Sequence, residues 1–290
     1  MPHKNRYVVI SPVRDEDRFI EKTVSSVIGQ SVLPVRYVIV DDGSHDRTGE
    51  IIDGFAAKHP WITALHRTDR GFRNSAGGEV QAFYTGFATL AETEWDFVVK
   101  LDGDLSFDSD YFEKCLSHFE EDPKLGMGSG VIYNLEDGKL ALEHTPMFHV
   151  RGAAKMYRRE CWEEMKGMYA INGWDTLDEV KANMLGWKTH NFPDLKIIQH
   201  RTTGMEVGIW KNAIKNGVGA YIAGYHPVYL ASKCLKRALR RPLFVESAGI
   251  LYGFCKAYAK RMKRVEDQTL IRYLRRQQMN RLFLRPTIWK

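Results

Sequence analysis

The sequence lacks paired cysteines. Its four, Cys115, Cys161, Cys234 and Cys255, lie far apart, with no CxxC and no His-rich metal spacing. They read as scattered thiols in a reducing compartment. A chain of 290 residues builds a sizeable core without a disulfide or a structural metal. No charged-then-apolar leader stands before Tyr7-Val8-Val9-Ile10, so a cytosolic active site is expected. Internal repeats, low-complexity segments and apolar runs long enough to span a bilayer are also missing.

What is present is the composition of a folded protein, 44% hydrophobic and 27% charged. The net charge is +6, and the stretch from Lys233 to Arg285 carries most of the excess. Membrane phospholipid, nucleic acid and diphosphate are the acidic partners that such a tail can meet. Within it, Asn216–Ser232 and Leu243–Cys255 are apolar, aromatic and flanked by Lys and Arg. They read as surface-lying amphipathic elements, with ordinary buried helices as the alternative.

The first hundred residues alternate strand and helix. Strands are expected at Tyr7–Ile10, Tyr37–Val40, Ile62–His66 and Phe97–Leu101. Helices are expected at Ile20–Ile28, Asp46–Lys58 (with Ser44 as N-cap) and Val80–Leu90. That order predicts an α/β fold with a mostly parallel, Rossmann-like sheet and flanking helices. The second half is less regular: strands at Met127–Tyr133, Phe148–Tyr157, Thr189–Phe192 and Lys196–His200, and a helix at Asp178–Leu185. One catalytic domain is expected over residues 1–205, its nucleotide-binding half 1–105 and its acceptor half 106–205. A helical, basic region, 206–290, follows.

Ligands of such sheets bind beyond the carboxyl ends of the strands. Asp102-Gly103-Asp104 follows the fourth strand, where two carboxylates can face one crevice from a tight turn. Hard oxygen ligands of this kind suit Mn²⁺ or Mg²⁺, completed by the phosphates of a substrate. Glycine lets the backbone turn and a ligand approach. Asp41-Asp42-Gly43-Ser44 follows the second strand, where a carboxylate can accept from a ribose hydroxyl or a base N–H. Arg70-Gly71-Phe72-Arg73 follows the third, and its arginines can hold phosphate.

Ser11-Pro12-Val13-Arg14-Asp15-Glu16, Val40-Asp41-Asp42-Gly43-Ser44-His45-Asp46-Arg47-Thr48 and Leu101-Asp102-Gly103-Asp104 resemble the GT-A-fold glycosyltransferases of family 2. The resemblance covers the first hundred residues closely and continues more loosely to about His200. It implies a nucleotide-diphosphate sugar donor, a divalent metal and inversion at the anomeric carbon. Carried onto this chain, it places Pro12, Arg14 and Glu16 in the nucleotide pocket and Asp42 on the base or ribose. Asp102 would meet the ribose or metal, and Asp104 the metal. Arg70 falls in a loop that meets the nucleotide in family members.

The family places Glu-Asp before a helix ending in Gly-aromatic, and its Asp is the catalytic base. By distance to Gly186-Trp187, Asp175 matches that Asp, with Trp174 in the place of the Glu. Asp178 and Glu179 are the alternatives, though both suit the first turn of a helix. Trp174 can stack on a sugar or sit in the core. His200 occupies the place of a histidine near the metal or diphosphate in many GT-A enzymes, with Arg201 beside it.

A single-sugar transferase is therefore expected, with a UDP- or GDP-type donor and a saccharide or lipid-linked acceptor in cell-envelope glycan synthesis. A cytoplasmic protein, peripheral on the inner face of an anionic membrane, fits the basic tail; nucleic acid is not expected as a partner. A processive polysaccharide synthase is disfavoured, because the Gln-x-x-Arg-Trp motif and long apolar spans are missing. A nucleotidyltransferase would need a Gly-rich phosphate loop after the first strand, which Ser11-Pro12-Val13-Arg14 does not supply. A non-catalytic basic module would leave three strand-end acidic clusters unexplained.

Overall fold

The computed structural model describes residues 5–69, 71, 77–136, 138–201, 208–239 and 242–289. The first half is built from β1 (Tyr7–Val13), α1 (Ile20–Ile28), β2 (Arg36–Asp41), α2 (Thr48–Lys58), β3 (Ile62–His66), α3 (Gly78–Phe87) and β4 (Phe97–Leu101). Strands and helices fall where the apolar periodicity puts them. The α2 start is a correction: its N-cap is Arg47, and the Ser44 hydroxyl donates to Asp41 Oδ1 at 2.6 Å. The turn at Gly43, with φ of 77°, aims Ser44 backward onto β2 and away from the helix.

The second half adds β5 (Leu105–Phe107), α4 (Tyr111–Glu121), β6 (Leu125–Glu136), β7 (Lys139–Leu142), β8 (Ala154–Arg158), α5 (Arg159–Met165), α6 (Trp174–Met184) and β9 (Lys188–Gln199). Among the described residues the strands join in the order β3-β2-β1-β4-β8-β6-β9-β5, with β7 on β6. Pairing is parallel through β3-β2-β1-β4, as expected, and turns mixed where β8 joins β4 antiparallel.

The long strand expected over Phe148–Tyr157 is present only from Ala154. Its first part is not extended: His149 N–H bonds to Pro146 O in a turn. The two short runs at Thr189–Phe192 and Lys196–His200 are one strand, β9. It is interrupted by a register shift against Gly130/Val131 of β6 that accommodates Pro193, Asp194 and Leu195. The helix expected from Asp178 begins a turn earlier, at Trp174, after Gly173 turns with φ of 84°.

Two apolar layers cover the sheet. One packs Val9, Ile20, Val24 and Ile39 with Phe97, Phe112 and Phe119. The other packs Val8, Ile10, Val38 and Phe83 with Val98, Trp162 and Trp174. The tail folds as α7 (Ile209–Ile222), α8 (Pro227–Ala238), α9 (Val245–Ala259) and α10 (Gln268–Leu282). Leu270 and Leu274 of α10 pack on Leu177 and Val180 of α6. The run Asn216–Ser232 does not lie on the surface as one element. It breaks at Gly224 between two helices, and Gly217, Gly219, Ala220, Tyr221 and Ile222 are buried.

Candidate active site

Parallel strands β1 to β4 end side by side, so the loops after them share one crevice. Arg14, after β1, is buried; it donates to Asp42 O at 2.9 Å and to Asp69 Oδ1 at 2.8 Å. It thereby laces together the loops after β1, β2 and β3. Asp42 accepts from Arg67 Nη1 at 2.6 Å. Asp69 is held below the ordinary carboxylate range by the Gly71 N–H and then by Arg14. Asp41 is occupied internally by Ser44 and His66. The Glu16 N–H donates to Thr48 Oγ1 at 2.7 Å, and Asp46 accepts from the same threonine hydroxyl at 2.5 Å, so this pair binds the β1 and β2 loops together. Pro12 lies in register with Val40 at the inner wall.

After β4, Asp104 is buried with Oδ2 accepting from Gln199 Nε2 at 3.2 Å. Its Oδ1 is buried with no partner among the described residues. Burial raises its pKa above the ordinary value. Arg201 pairs with Glu16 and comes within 3.8 Å of Asp104 Oδ2, bridging the β1 and β4 loops. His200 hydrogen-bonds Ser106 Oγ at 2.8 Å through Nε2, and its Nδ1 is buried with no partner among the described residues. Burial, reinforced by Lys22, lowers its pKa, so it stands as a neutral imidazole. Gly103 has its own reason: a Cβ there would meet Val13 Cγ1 at 2.8 Å, so the turn must hug the β1 loop.

No group of three or more His, Cys, Asp and Glu side chains able to hold a metal occurs among the described residues. The donor set fits a cation that takes few protein ligands and completes its shell with substrate phosphates. Asp104 Oδ1 is the oxygen left open for it, Asp102 is two residues away, and His200 Nδ1 is a second unspent donor atom.

Two buried lysines lie beneath this crevice, and the sequence pattern did not flag them. Lys100 on β4 and Lys155 on β8 are register partners, each fully buried. Lys100 pairs with Asp102 and Glu79. Burial depresses its ammonium, but Asp102 and Glu79 outweigh that and hold it above its ordinary value. Asp102 in turn is pushed up by burial against the pull of Lys100. Lys155 donates to Asp178 Oδ1 and Glu179 Oε1, each at 3.1 Å, and to the Asp175 backbone oxygen at 2.8 Å. The signal available was a lysine inside the apolar run Phe97–Leu101: such a charge is buried only if paired.

Asp178 and Glu179 are thus both spent. Each is fully buried; Tyr157 donates to Asp178 at 2.6 Å, and His149 lies 2.9 Å from Glu179. Asp175, in the first turn of α6, is half-buried, and its carboxylate accepts no hydrogen bond among the described residues. Burial alone would raise its pKa, but Lys155, His149, Arg151 and Lys100 more than reverse this and lower it. Trp174 is core: the two ammonium groups lie 5.4 and 5.5 Å from its ring centre. Arg70 lies outside the described residues, as do Phe72 and Arg73.

A family model described as glycosyl transferase family 2 matches residues 8–172. The glycosyltransferase EpsJ of Bacillus subtilis strain 168, itself described as uncharacterized, is 28% identical over 129 residues, 44% of this chain and 35% of that protein. A poly-beta-1,6-N-acetyl-D-glucosamine synthase of Staphylococcus epidermidis is 22% identical over 265 residues, 83% of this chain and 60% of the synthase. The chain therefore spans less than two thirds of either relative. Among solved structures, the mannosyltransferase PcManGT from Pyrobaculum calidifontis, in complex with GDP-Man and Mn²⁺, has a TM-score of 0.57. It is 19% identical, covering 94% of this chain and 74% of that one. S. aureus TarS 1–349 in complex with UDP-GlcNAc has a TM-score of 0.54 at 15% identity, covering 92% and 78%. These two share the GT-A fold with this chain. With the family model covering more than half of its residues, the chain belongs to glycosyl transferase family 2.

Proposed function

We propose that this protein transfers a single sugar from a UDP- or GDP-linked donor to an acceptor hydroxyl, with inversion, in cell-envelope or lipid-linked glycan synthesis. The observation that carries the reading is Asp104 Oδ1, a buried carboxylate oxygen left without a partner among the described residues at the carboxyl end of a parallel strand. Asp102, Asp104 and His200 would hold Mn²⁺ or Mg²⁺, which when bound neutralises charge developing on the departing diphosphate. The loops carrying Pro12, Arg14, Glu16 and Asp42 hold the nucleoside, with Arg70 as a further proposed contact.

Asp175 is the proposed base. It is ionised, accepts no hydrogen bond among the described residues and is half-buried at the N-terminus of α6. It takes the acceptor proton as the acceptor oxygen bonds the anomeric carbon, while the bond from that carbon to the diphosphate oxygen breaks and its electron pair leaves with the diphosphate. Lys155 holds the turn that carries Asp175 through the peptide oxygen.

Calorimetry with a panel of nucleoside diphosphates, with and without Mn²⁺, tests the site on wild type and Asp104→Ala. One nucleotide is expected to bind in a metal-dependent manner, and the substitution to abolish the metal effect. Equal binding with and without metal in both proteins would remove the proposed role of Asp104.

A further inference from the structure

Among the described residues the tail presents an apolar face that is left exposed. On α8, Val228, Ala231, Leu235 and Leu239 recur at helical spacing on the exposed side, while Leu230, Cys234 and Ala238 face inward. Leu235 and Leu239 are 76% and 80% exposed. On α9 the exposed side is carried by Ala248, Leu251, Tyr252, Cys255 and Tyr258, again one helical stripe, and Met262 beyond the helix end is exposed as well. Leu243 and Phe244, between the two helices, are also exposed. Trp210, at the start of α7, is exposed and stacks on Tyr252 with ring centres 6.2 Å apart.

The charge around this face has one sign. Between Val207 and Val265 the sequence holds twelve Lys and Arg and a single carboxylate, Glu246. Glu246 is paired with Arg237 and so contributes no negative charge to the stripe. Lys236, Lys256, Lys260 and Lys263 are exposed among or beside the apolar residues. The whole region 206–290 has eighteen cations against four anions, whereas residues 1–205 have twenty-four against thirty-two.

A protein partner is disfavoured by the abundance of lysine, which protein interfaces deplete. Nucleic acid is disfavoured by the leucines, which neither pair with phosphate nor stack on bases. Aliphatic residues seated among Trp and Tyr, and rimmed by lysines with long stems, suit the boundary of an anionic bilayer. We infer that the exposed face of α8 and α9 docks this protein on the surface of a membrane rich in anionic lipid. No described helix is long and apolar enough to cross a membrane, so the contact lies in the interface plane. The inference does not depend on the transferase reading, since none of these residues belongs to the proposed site.

Co-sedimentation of the full chain with phosphatidylcholine vesicles, with and without phosphatidylglycerol, tests it. Binding is expected with the anionic vesicles and about tenfold less with the neutral ones, falling again as salt is raised. The triple variant Leu235→Glu/Leu239→Glu/Tyr258→Glu should lose about tenfold or more of the binding, through lost apolar insertion and added repulsion. Because these side chains are exposed, its thermal midpoint and nucleotide binding should match wild type. Absence of wild-type binding to anionic vesicles would overturn the inference, as would full binding by the variant. So would a dimer in sedimentation velocity that the triple substitution abolishes while vesicle binding persists. Loss of nucleotide binding with vesicle binding intact would count against the site reading and leave the docking face standing.

Discussion

At Lys100 and Lys155 the sheet buries two ammonium groups on neighbouring strands, and four carboxylates converge to pair with them. A buried ion pair adds little net stability, but losing one partner leaves an uncompensated charge at a cost of about 3–5 kcal/mol. The arrangement leaves Asp175 as the acid of α6 whose carboxylate accepts no hydrogen bond among the described residues. Asp175→Asn is expected to lower kcat by roughly 10²–10⁴ with donor affinity retained, read by steady-state kinetics and nucleotide titration. The lowered pKa of Asp175 keeps it ionised throughout the neutral range, so kcat/KM should show no loss from this group until pH falls below its ordinary value of 3.8. A descending limb near pH 6 that disappears in Asp175→Asn would contradict this.

His149 gives a second pH handle. Burial lowers its pKa, and Glu179 more than offsets this, so the folded value lies above 6.5. A group raised on folding contributes its full stability below the unfolded value and loses it as pH rises through the folded one. The stability difference between wild type and His149→Gln should therefore be largest below pH 6.5 and shrink above it, as thermal midpoints across a pH series would record. A difference that grew with pH would reverse the assigned sign.

At the scale of elements, α7 and α9 cross through small residues. A Cβ on Gly217 would lie 2.0 Å from Ile250 O, and one on Gly253 2.2 Å from Ile214 O. Backbone cannot yield as a side-chain tip does, so Gly217→Ala should destabilise by at least about 1–3 kcal/mol of overpacking. Chemical denaturation measures it, and a neutral result would mean that the crossing is looser than described. Elements with a clean period were legible beforehand: Ile20–Ile28, Ile62–His66 and Phe97–Leu101 are observed with those boundaries. What was not legible depended on partners distant in sequence. β8 is short because the chain before it turns, and β9 is long because Pro193 sits in a bulge that only pairing with β6 defines. Carboxylates at strand ends were readable from local sequence. The lysines that decide which carboxylates remain available were not, because Lys155 and Asp178 lie on different elements and only the tertiary fold joins them.

At the scale of the molecule, the tail is tied to the catalytic domain through the helix that carries Asp175. Leu274 packs on one face of α6 where Leu177, two residues from Asp175, is buried. Leu274→Ala should cost about 2–5 kcal/mol of stability. It should also lower kcat while leaving nucleotide affinity unchanged, because Leu274 packs on α6, which carries Asp175, rather than on the loops proposed to hold the nucleoside. Kinetics and calorimetry on one preparation would separate the two, and an unchanged kcat would show that α6 is held well enough by Lys155 alone.

The α9 helix buries Ser247, Gly249, Gly253 and Ala257 along with Ile250, and exposes Ala248, Leu251, Tyr252, Cys255 and Tyr258. Its inward positions are mostly small, and this follows from the crossing: where a helix approaches its neighbour to backbone distance, the point of contact has no room for a large side chain. Hydrophobicity was thus divided between two jobs that do not compete. Shape holds α9 to α7, while solvent-averse bulk is displayed outward. Ala248, Leu251 and Cys255 can therefore be rewritten to lysine, glutamate or glutamine without disturbing the helix pair, giving a more soluble form of the protein for crystallisation.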